Sequence, residues 1–218
     1  MIVVVGLPAY ADSPDGEKCA GGLAVDVAAA AVGRGAMVEL VGKIGNDGAG
    51  DAVVVALGRL GIGHSALVRD PVLPTPVLAA PAVDDDSPEL DDVDRGTLVL
   101  PADPAGRPSL DTGDVDLALR FLPQAGVIVL VDALSEAAVA AAADGAAYAS
   151  ARLIVLVESG AKPPAVPADA TVLEVPPADD GSFGRMVGVF AGALDAGVDP
   201  KAAFGEATAA AGWEPSAE

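Results

Sequence analysis

The sequence predicts an α/β fold of three layers, in which helices cover both faces of a mostly parallel, doubly wound sheet. Three observations support this prediction. The chain begins with a β-branched run, 2–5, typical of a strand that is buried on both faces. Apolar strand-like runs then alternate with alanine-rich helical stretches, and glycines stand at the junctions between them. Residues 1–218 are expected to form a single domain.

The first half of the chain is predicted to contain two βα repeats and a further strand. Glycines follow or end the predicted helices, as expected where the chain turns back toward the sheet. In chain order the elements are strand 2–5, a helix that ends at Gly33, strand 37–41, helix 51–60 and strand 66–68.

The second half continues the alternation. In chain order it is predicted as helix 115–121, strand 127–131, helix 135–150, strand 153–157, strand 171–175 and helix 185–196. The Pro-rich segment 160–167 is expected to be irregular, because proline lacks a backbone donor and restricts the chain.

Two short apolar stretches, 75–79 and 96–100, are predicted as strands joined by an acidic surface segment. Their apolar residues include Val77, Leu78, Leu98 and Leu100. Because such an edge strand would be exposed in a monomer, we expect a homodimer that covers it.

The charge balance excludes two classes of partner. The chain carries 32 acidic and 12 basic residues, for a net charge of −20 and a pI near 4.1. Such a surface repels phosphates, so neither a nucleic acid nor an anionic membrane is an expected partner. A salt-adapted or GC-rich source and a merely soluble acidic surface are alternative explanations of this composition.

Cysteine and histidine are too few for several kinds of site. A single cysteine, Cys19, allows no internal disulfide or cysteine metal cluster and is expected to be structural. His64 is the only histidine, which excludes a His-rich metal site, and a surface turn is expected there. The apolar start lacks a basic region and no apolar run reaches 18 residues, so we expect a cytoplasmic protein.

Glycines and polar residues between positions 21 and 62 form an ordered series of motifs. They are Gly21-Gly22, Asp26, Ala28, Gly33, then Gly45-x-Asp47-x-x-Gly50, then Gly61-Ile62. In this order and spacing the chain resembles the ribokinase/PfkB family of sugar and nucleoside kinases, whose signature has an asparagine in place of Asp26. The resemblance implies a ribokinase-like fold with a small β lid over the sugar site, whose strands are expected approximately within 7–22 and 71–101.

The stretch from Pro176 to Gly184 resembles the closing motif of the same family, where a strand leads through Asp-Thr-x-Gly-Ala-Gly-Asp into a helix of small residues. Gly181 takes the place of the first glycine, Phe183 that of the second, and Gly184 that of the catalytic aspartate. Backbone N–H groups of Gly181, Ser182 and Phe183 would be the vestige of an anion hole. Without a carboxylate at 184 the general base is missing.

Further requirements of phosphoryl transfer also fail in the sequence. Asn46 is the only asparagine, so the Asn-x-x-Glu motif that organises Mg²⁺ in the family is absent, and the segment that carries it is missing between the last two strands. Ser159 to Lys162 is expected to be a plain loop. Asp179 and Asp180 place negative charge where phosphates would bind; either could cap the following helix, and Asp180 is the alternative, displaced base.

The sugar side of the family's site is better preserved. By resemblance, Asp12, Gly21, Gly22 and Asp26 are candidate substrate-binding residues, although Asp12 and Asp26 are equally compatible with ordinary loop and helix-start positions. An aspartate in place of the family's asparagine offers acceptors only, which disfavours a phosphorylated sugar.

Taken together, the resemblance implies a catalytically inactive pseudokinase that binds a sugar, nucleoside or other polyol, or a partner protein. No cofactor and no metal site are expected. The alternative is a divergent active carbohydrate kinase, which would use ATP and Mg²⁺. Trp213 is expected to close the last helix rather than bind a ligand.

Overall fold

A computed structural model describes residues 1–12, 18–78, 106–132, 134–177 and 181–213. Eight strands and six helices lie in these ranges. The strands are β1 (Ile2–Val5), β2 (Ala9–Asp12), β3 (Lys18–Gly21), β4 (Val38–Gly45), β5 (Leu67–Asp70), β6 (Val127–Leu130), β7 (Arg152–Glu158) and β8 (Thr171–Val175). The helices are α1 (Leu23–Gly33), α2 (Gly48–Arg59), α3 (Thr112–Phe121), α4 (Glu136–Ala149), α5 (Ser182–Asp195) and α6 (Pro200–Ala210).

The main sheet has six strands in the order β5-β4-β1-β6-β7-β8, and every neighbouring pair is parallel. From β1 the chain first builds outward through β4 and β5, then returns to the other side of β1 with β6, β7 and β8. The order therefore reverses between β1 and β6. The predicted doubly wound parallel sheet is confirmed.

Helices cover both faces of this sheet. Along β1, Ile2 and Val4 point into a core formed with α1, α2, α5 and α6, whereas Val3 and Val5 point into a second core formed with α3 and α4. All four side chains are fully buried. Successive side chains of β1 therefore enter cores on opposite faces of the sheet. Helices, sheet and helices form the three layers that the sequence predicts.

Helices α1 and α5 pack closely through a row of glycines on α5. A Cβ on Gly188 would lie 2.3 Å from the Val27 carbonyl oxygen, and one on Gly192 would lie 3.1 Å from Cβ of Arg34. Gly184 continues the row one turn earlier, since its Cβ would lie 2.8 Å from Cβ of Asp26. The spacing of four residues places the three glycines on one helix face, and their missing side chains allow the two backbones to approach.

The lid consists of β2 and β3, which pair antiparallel, and of residues 76–78, which run alongside β2. Leu78 is buried among Ala9 and Ala11 of β2, and a Cβ on Gly21 would meet its side chain at 2.8 Å. The expectation that Leu78 lies on an exposed apolar edge is thus wrong, because the lid itself covers this side chain. The predicted strand 96–100 lies outside the described residues, and the homodimer stays a prediction.

Several predicted bounds need correction. Strand β4 continues past 41 to Gly45, because Gly42 and Gly45 pair with β5 where neighbouring atoms leave no space for a Cβ. Helix α5 begins three residues before the predicted start, and α6 was not predicted as a separate helix. None of the helices in the described ranges is long and apolar enough to cross a membrane.

Candidate functional site

The order of strands reverses between β1 and β6, so the carboxyl edge of the sheet has a topological switch point there. In open parallel sheets the loops that leave two such strands diverge, and ligands bind in the crevice between them. Gly6 and Leu7 follow β1, and Val131 and Asp132 follow β6. Helix α1 begins beside them, since a Cβ on Gly6 would lie 2.9 Å from Cβ of Ala24.

Asp132 is a carboxylate at the switch point, directly after β6. Its Oδ2 accepts a hydrogen bond from the Leu7 N–H, which links the loops after β1 and β6. Gly6 must lack a side chain here, because a Cβ would lie 3.0 Å from that oxygen. Burial raises the pKa of Asp132, and the Leu7 hydrogen bond and the charge of Arg107 only partly oppose this effect.

Of the sugar-side candidates, the structure places Gly22 beside the loop after β1 and Asp26 in the first turn of helix α1. Gly22 adopts φ +97° directly before α1, and its carbonyl accepts the N–H groups of Val25 and Asp26. A Cβ on Gly22 would lie 3.7 Å from the Leu7 oxygen, so Gly22 borders the loop that contacts Asp132.

The other two sugar-side candidates, Gly21 and Asp12, lie in the lid. Gly21 provides space for Leu78 in the lid, which gives it a packing role. Asp12 pairs through its backbone with Lys18 at the tip of the lid, but its side chain lies outside the described residues.

Helix α5 begins on the same side of the sheet. Gly181 precedes it with φ +85°, and Gly184 in its first turn faces Leu23 and Asp26 of α1. The structure therefore brings Asp26 and the closing motif together. Phe183 is 3% exposed and stacks on Trp213 with ring centroids 6.3 Å apart, so Trp213 covers the start of α5 as well as following α6. Asp179 and Asp180 lie outside the described residues.

Two donors of the loop after β7 bind a carboxylate of the same chain, that of Glu174. Glu174 Oε1 on β8 accepts hydrogen bonds from the Ser159 hydroxyl at 2.8 Å and the Gly160 N–H at 2.7 Å. These two bonds lower the pKa of Glu174 below its usual value. The Ser159 hydroxyl and the Gly160 N–H are therefore already directed at Glu174.

The motif Gly45-x-Asp47-x-x-Gly50 has a structural explanation. Asp47 caps α2 and binds Thr75, the only buried polar side chain among the described residues. Burial alone would raise the pKa of Asp47, but hydrogen bonds from Thr75 and Gly50 outweigh it and the pKa lies below the usual value. In the described part of the chain no cluster of three acidic, histidine or cysteine side chains could hold a metal ion.

Three of these residues were not singled out from the sequence. Asp132, Thr75 and Glu174 are residue types that are common in loops and edge strands. Each has a hydrogen-bond partner that is 15 or more positions away in the sequence. The only sequence signal is that Asp132 is the first charged residue after the buried run 127–131. In a parallel sheet that position points at the carboxyl edge.

The pH dependence of stability should reveal the environment of Asp132. Because its folded pKa is raised, its protonated form contributes stability below the ordinary aspartate pKa, and this contribution is lost as pH rises through the folded value. We expect Asp132→Asn, which retains an acceptor for Leu7, to flatten the decline of the melting temperature between the ordinary aspartate pKa and the raised folded value. Thermal melts across acidic to neutral pH would measure it.

The matched control is Asp169→Asn, at an exposed turn before β8. It should leave the pH profile of stability unchanged. An identical profile for Asp132→Asn and the native protein would contradict the assigned environment.

Comparison with known proteins identifies the fold. No family model and no curated protein matches the sequence. Among solved structures, Arabidopsis thaliana ribokinase complexed with ribose and ATP is 16% identical with a TM-score of 0.67, over 96% of this chain and 90% of that chain. An Escherichia coli protein described as a ribokinase II, solved with ATP and Mg²⁺, is 13% identical with a TM-score of 0.66, over 95% and 90%.

A third similar structure, of a Staphylococcus aureus protein described as a phosphofructokinase, is 13% identical with a TM-score of 0.61, over 98% of this chain and 92% of that chain. The chain therefore has the ribokinase-like α/β fold that the sequence motifs imply. At these identities the similarity establishes the fold alone.

Proposed function

We propose that this protein is a ribokinase-like pseudokinase that binds a sugar, nucleoside or related polyol at the switch-point crevice and does not transfer phosphate. The observation that carries the proposal is the position of Gly184. In the motif that resembles the kinases' closing signature, this residue faces α1 so closely that a Cβ would lie 2.8 Å from Cβ of Asp26. The position therefore provides neither a general base nor space for one.

The phosphate side gives further support. Ser159 and Gly160, the residues compared with a phosphate-binding turn, donate to Glu174. A nucleotide phosphate at this loop would have to displace a carboxylate and would meet its negative charge at short range. We therefore propose no nucleotide cofactor and no Mg²⁺.

The sugar side retains acceptors for hydroxyl groups. Asp132 contacts the loop after β1, and Asp26 lies in the first turn of α1, whose N-cap Gly22 borders that loop. Carboxylates accept hydrogen bonds from polyol hydroxyls, but they repel a phosphorylated substrate. An uncharged polyol is therefore the proposed ligand class, and a cytoplasmic location remains a prediction.

Calorimetric titration tests both halves of the proposal. We expect no saturable binding of ATP·Mg²⁺ and saturable binding of one member of a panel of D-ribose, D-fructose and adenosine. Asp132→Ala should weaken that binding about 10- to 150-fold, the usual effect of losing a hydrogen bond to a charged group.

A second assay addresses the alternative, a divergent active carbohydrate kinase. ATP-dependent phosphorylation of any panel member by the native protein, lost on mutation of Asp12 or Asp180, would establish that alternative. Failure of every panel member to bind would overturn the polyol proposal while leaving the absence of ATP binding as a separate result.

A further inference from the structure

Thr75 anchors a segment that has no helix or strand of its own. It lies in the irregular connection after β5, yet it is only 3% exposed. Its hydroxyl donates to Asp47 Oδ1 at 2.6 Å and accepts the Gly45 N–H at 2.9 Å, while its own N–H donates to Asp47 Oδ2 at 2.8 Å. Both carboxylate oxygens of Asp47 are thus directed at one residue 28 positions away.

The two flanking glycines make this approach possible. A Cβ on Gly45 would lie 2.4 Å from the Thr75 nitrogen, and a Cβ on Gly50 would lie 2.9 Å from the Thr75 hydroxyl oxygen. Asp47 Oδ1 also accepts the Gly50 N–H at 2.8 Å. The glycines and the aspartate of the motif therefore all contribute to one structural task, the seating of Thr75.

The lid begins at the next residue. The Pro76 carbonyl accepts the Tyr10 N–H at 2.7 Å, and the Leu78 N–H donates to the Tyr10 carbonyl at 2.8 Å. Leu78 then fills the small apolar core of the lid with Ala9 and Ala11. Residues 76–78 consequently join β2 directly from the point where Thr75 is fixed to the main sheet.

The base of the lid meets the candidate site. Its strand β2 begins two residues after Leu7, which binds Asp132, and β3 ends at Gly21, next to Gly22, the N-cap of α1. Any displacement of the lid would therefore move groups that border the crevice. The Thr75 anchor fixes the lid to the main sheet at a further point, Gly45 and Asp47 at the end of β4.

We propose that Asp47 and Thr75 form a clamp that fixes the lid to the carboxyl edge of the sheet and so sets the geometry of the crevice. The clamp acts through position alone, and neither residue needs to touch a ligand. Its test requires no ligand, so its outcome is independent of the proposed polyol binding.

Hydrogen exchange measured by mass spectrometry or NMR tests the clamp with Thr75→Val, which conserves shape but removes the hydroxyl. We expect the amides of Tyr10 and Leu78 to exchange about tenfold faster or more, because losing the two hydroxyl bonds favours local opening of the lid. The exchange rates of β1 and β6 amides should rise only as much as the loss of global stability of the variant requires. Thr75→Ser, which retains the hydroxyl, should restore slow exchange.

Two further variants make the result decisive. Ser65→Ala removes another hydroxyl bond to a β4 carboxylate, Glu39, at 3.0 Å and outside the lid, and should leave lid exchange unchanged. Asp47→Asn keeps an acceptor for the α2 cap and provides a second probe if Thr75→Val does not fold. Lid amides that stay protected, or that accelerate only as much as β1, would overturn the clamp.

Discussion

Gly188→Ala is expected to destabilise the protein by about 3 kcal/mol, the upper part of the usual range for overpacking. The added methyl would lie 2.3 Å from the Val27 carbonyl oxygen and 2.6 Å from Cβ of Ala30. Because the nearest atom belongs to the backbone of α1, no side-chain rotation relieves the contact and the helices must separate. This outweighs the roughly 0.5–1 kcal/mol by which alanine is favoured over glycine in a helix.

Thermal and denaturant unfolding would measure the change, with an expected fall in melting temperature of about 6–12 °C for a chain of this size. Gly205→Ala in α6 is the matched control, because its Cβ would meet no atom within 4 Å. It should stabilise the protein slightly. Equal effects at positions 188 and 205 would show that α1 and α5 do not pack as described.

The glycine row also predicts an order of effects. The nearest contact lengthens from 2.3 Å at Gly188 to 2.8 Å at Gly184 and 3.1 Å at Gly192, where the partner is Cβ of Arg34. Alanine substitutions should therefore destabilise in the order 188, 184, 192. The sequence suggested a helix of small residues, but only the packing against α1 explains why glycine stands at every fourth position.

The elements that sequence reasoning predicted best are those whose burial is complete. Strands such as Ile2–Val5 are fully buried, so their apolar runs are continuous and periodicity alone identifies them. The end of β4 was missed because glycine usually interrupts a strand. At Gly42 and Gly45 glycine is instead required by close neighbours, among them the Gly6 carbonyl 2.7 Å from a Cβ at Gly42.

The candidate site was harder to predict because it depends on strand order. Nothing in the local sequence places β6 beside β1, so Asp132 could not be assigned to the switch point before the sheet was known. The lid was expected from a family resemblance, whereas its anchor at Thr75 depends on a contact with Asp47 across 28 positions. The motifs located the neighbourhood of the site, and the tertiary contacts identified which side chains meet there.

Gly184→Asp is expected to yield no phosphoryl transfer and to destabilise the protein by about 1–3 kcal/mol. By resemblance to the kinases, this substitution would restore the aspartate that serves as their general base. In the structure, the new Cβ would lie 2.8 Å from Cβ of Asp26 and 3.1 Å from Cδ1 of Leu23, so α1 would have to move away. A base also has no effect without a bound phosphoryl donor.

Two further variants separate the effect of packing from the effect of charge on the stability of Gly184→Asp. Gly184→Ala adds the Cβ alone, and Gly184→Asn adds a side chain of aspartate's size without its charge. If packing dominates, the three variants should lose similar stability; a larger loss for Gly184→Asp would measure repulsion from the neighbouring Asp26 carboxylate. Unfolding curves for the three variants and an ATP-dependent phosphorylation assay with D-ribose provide both readouts. Phosphorylation gained by Gly184→Asp alone would show that a nucleotide does bind and that only the base was missing, which would overturn the proposed loss of the phosphate side.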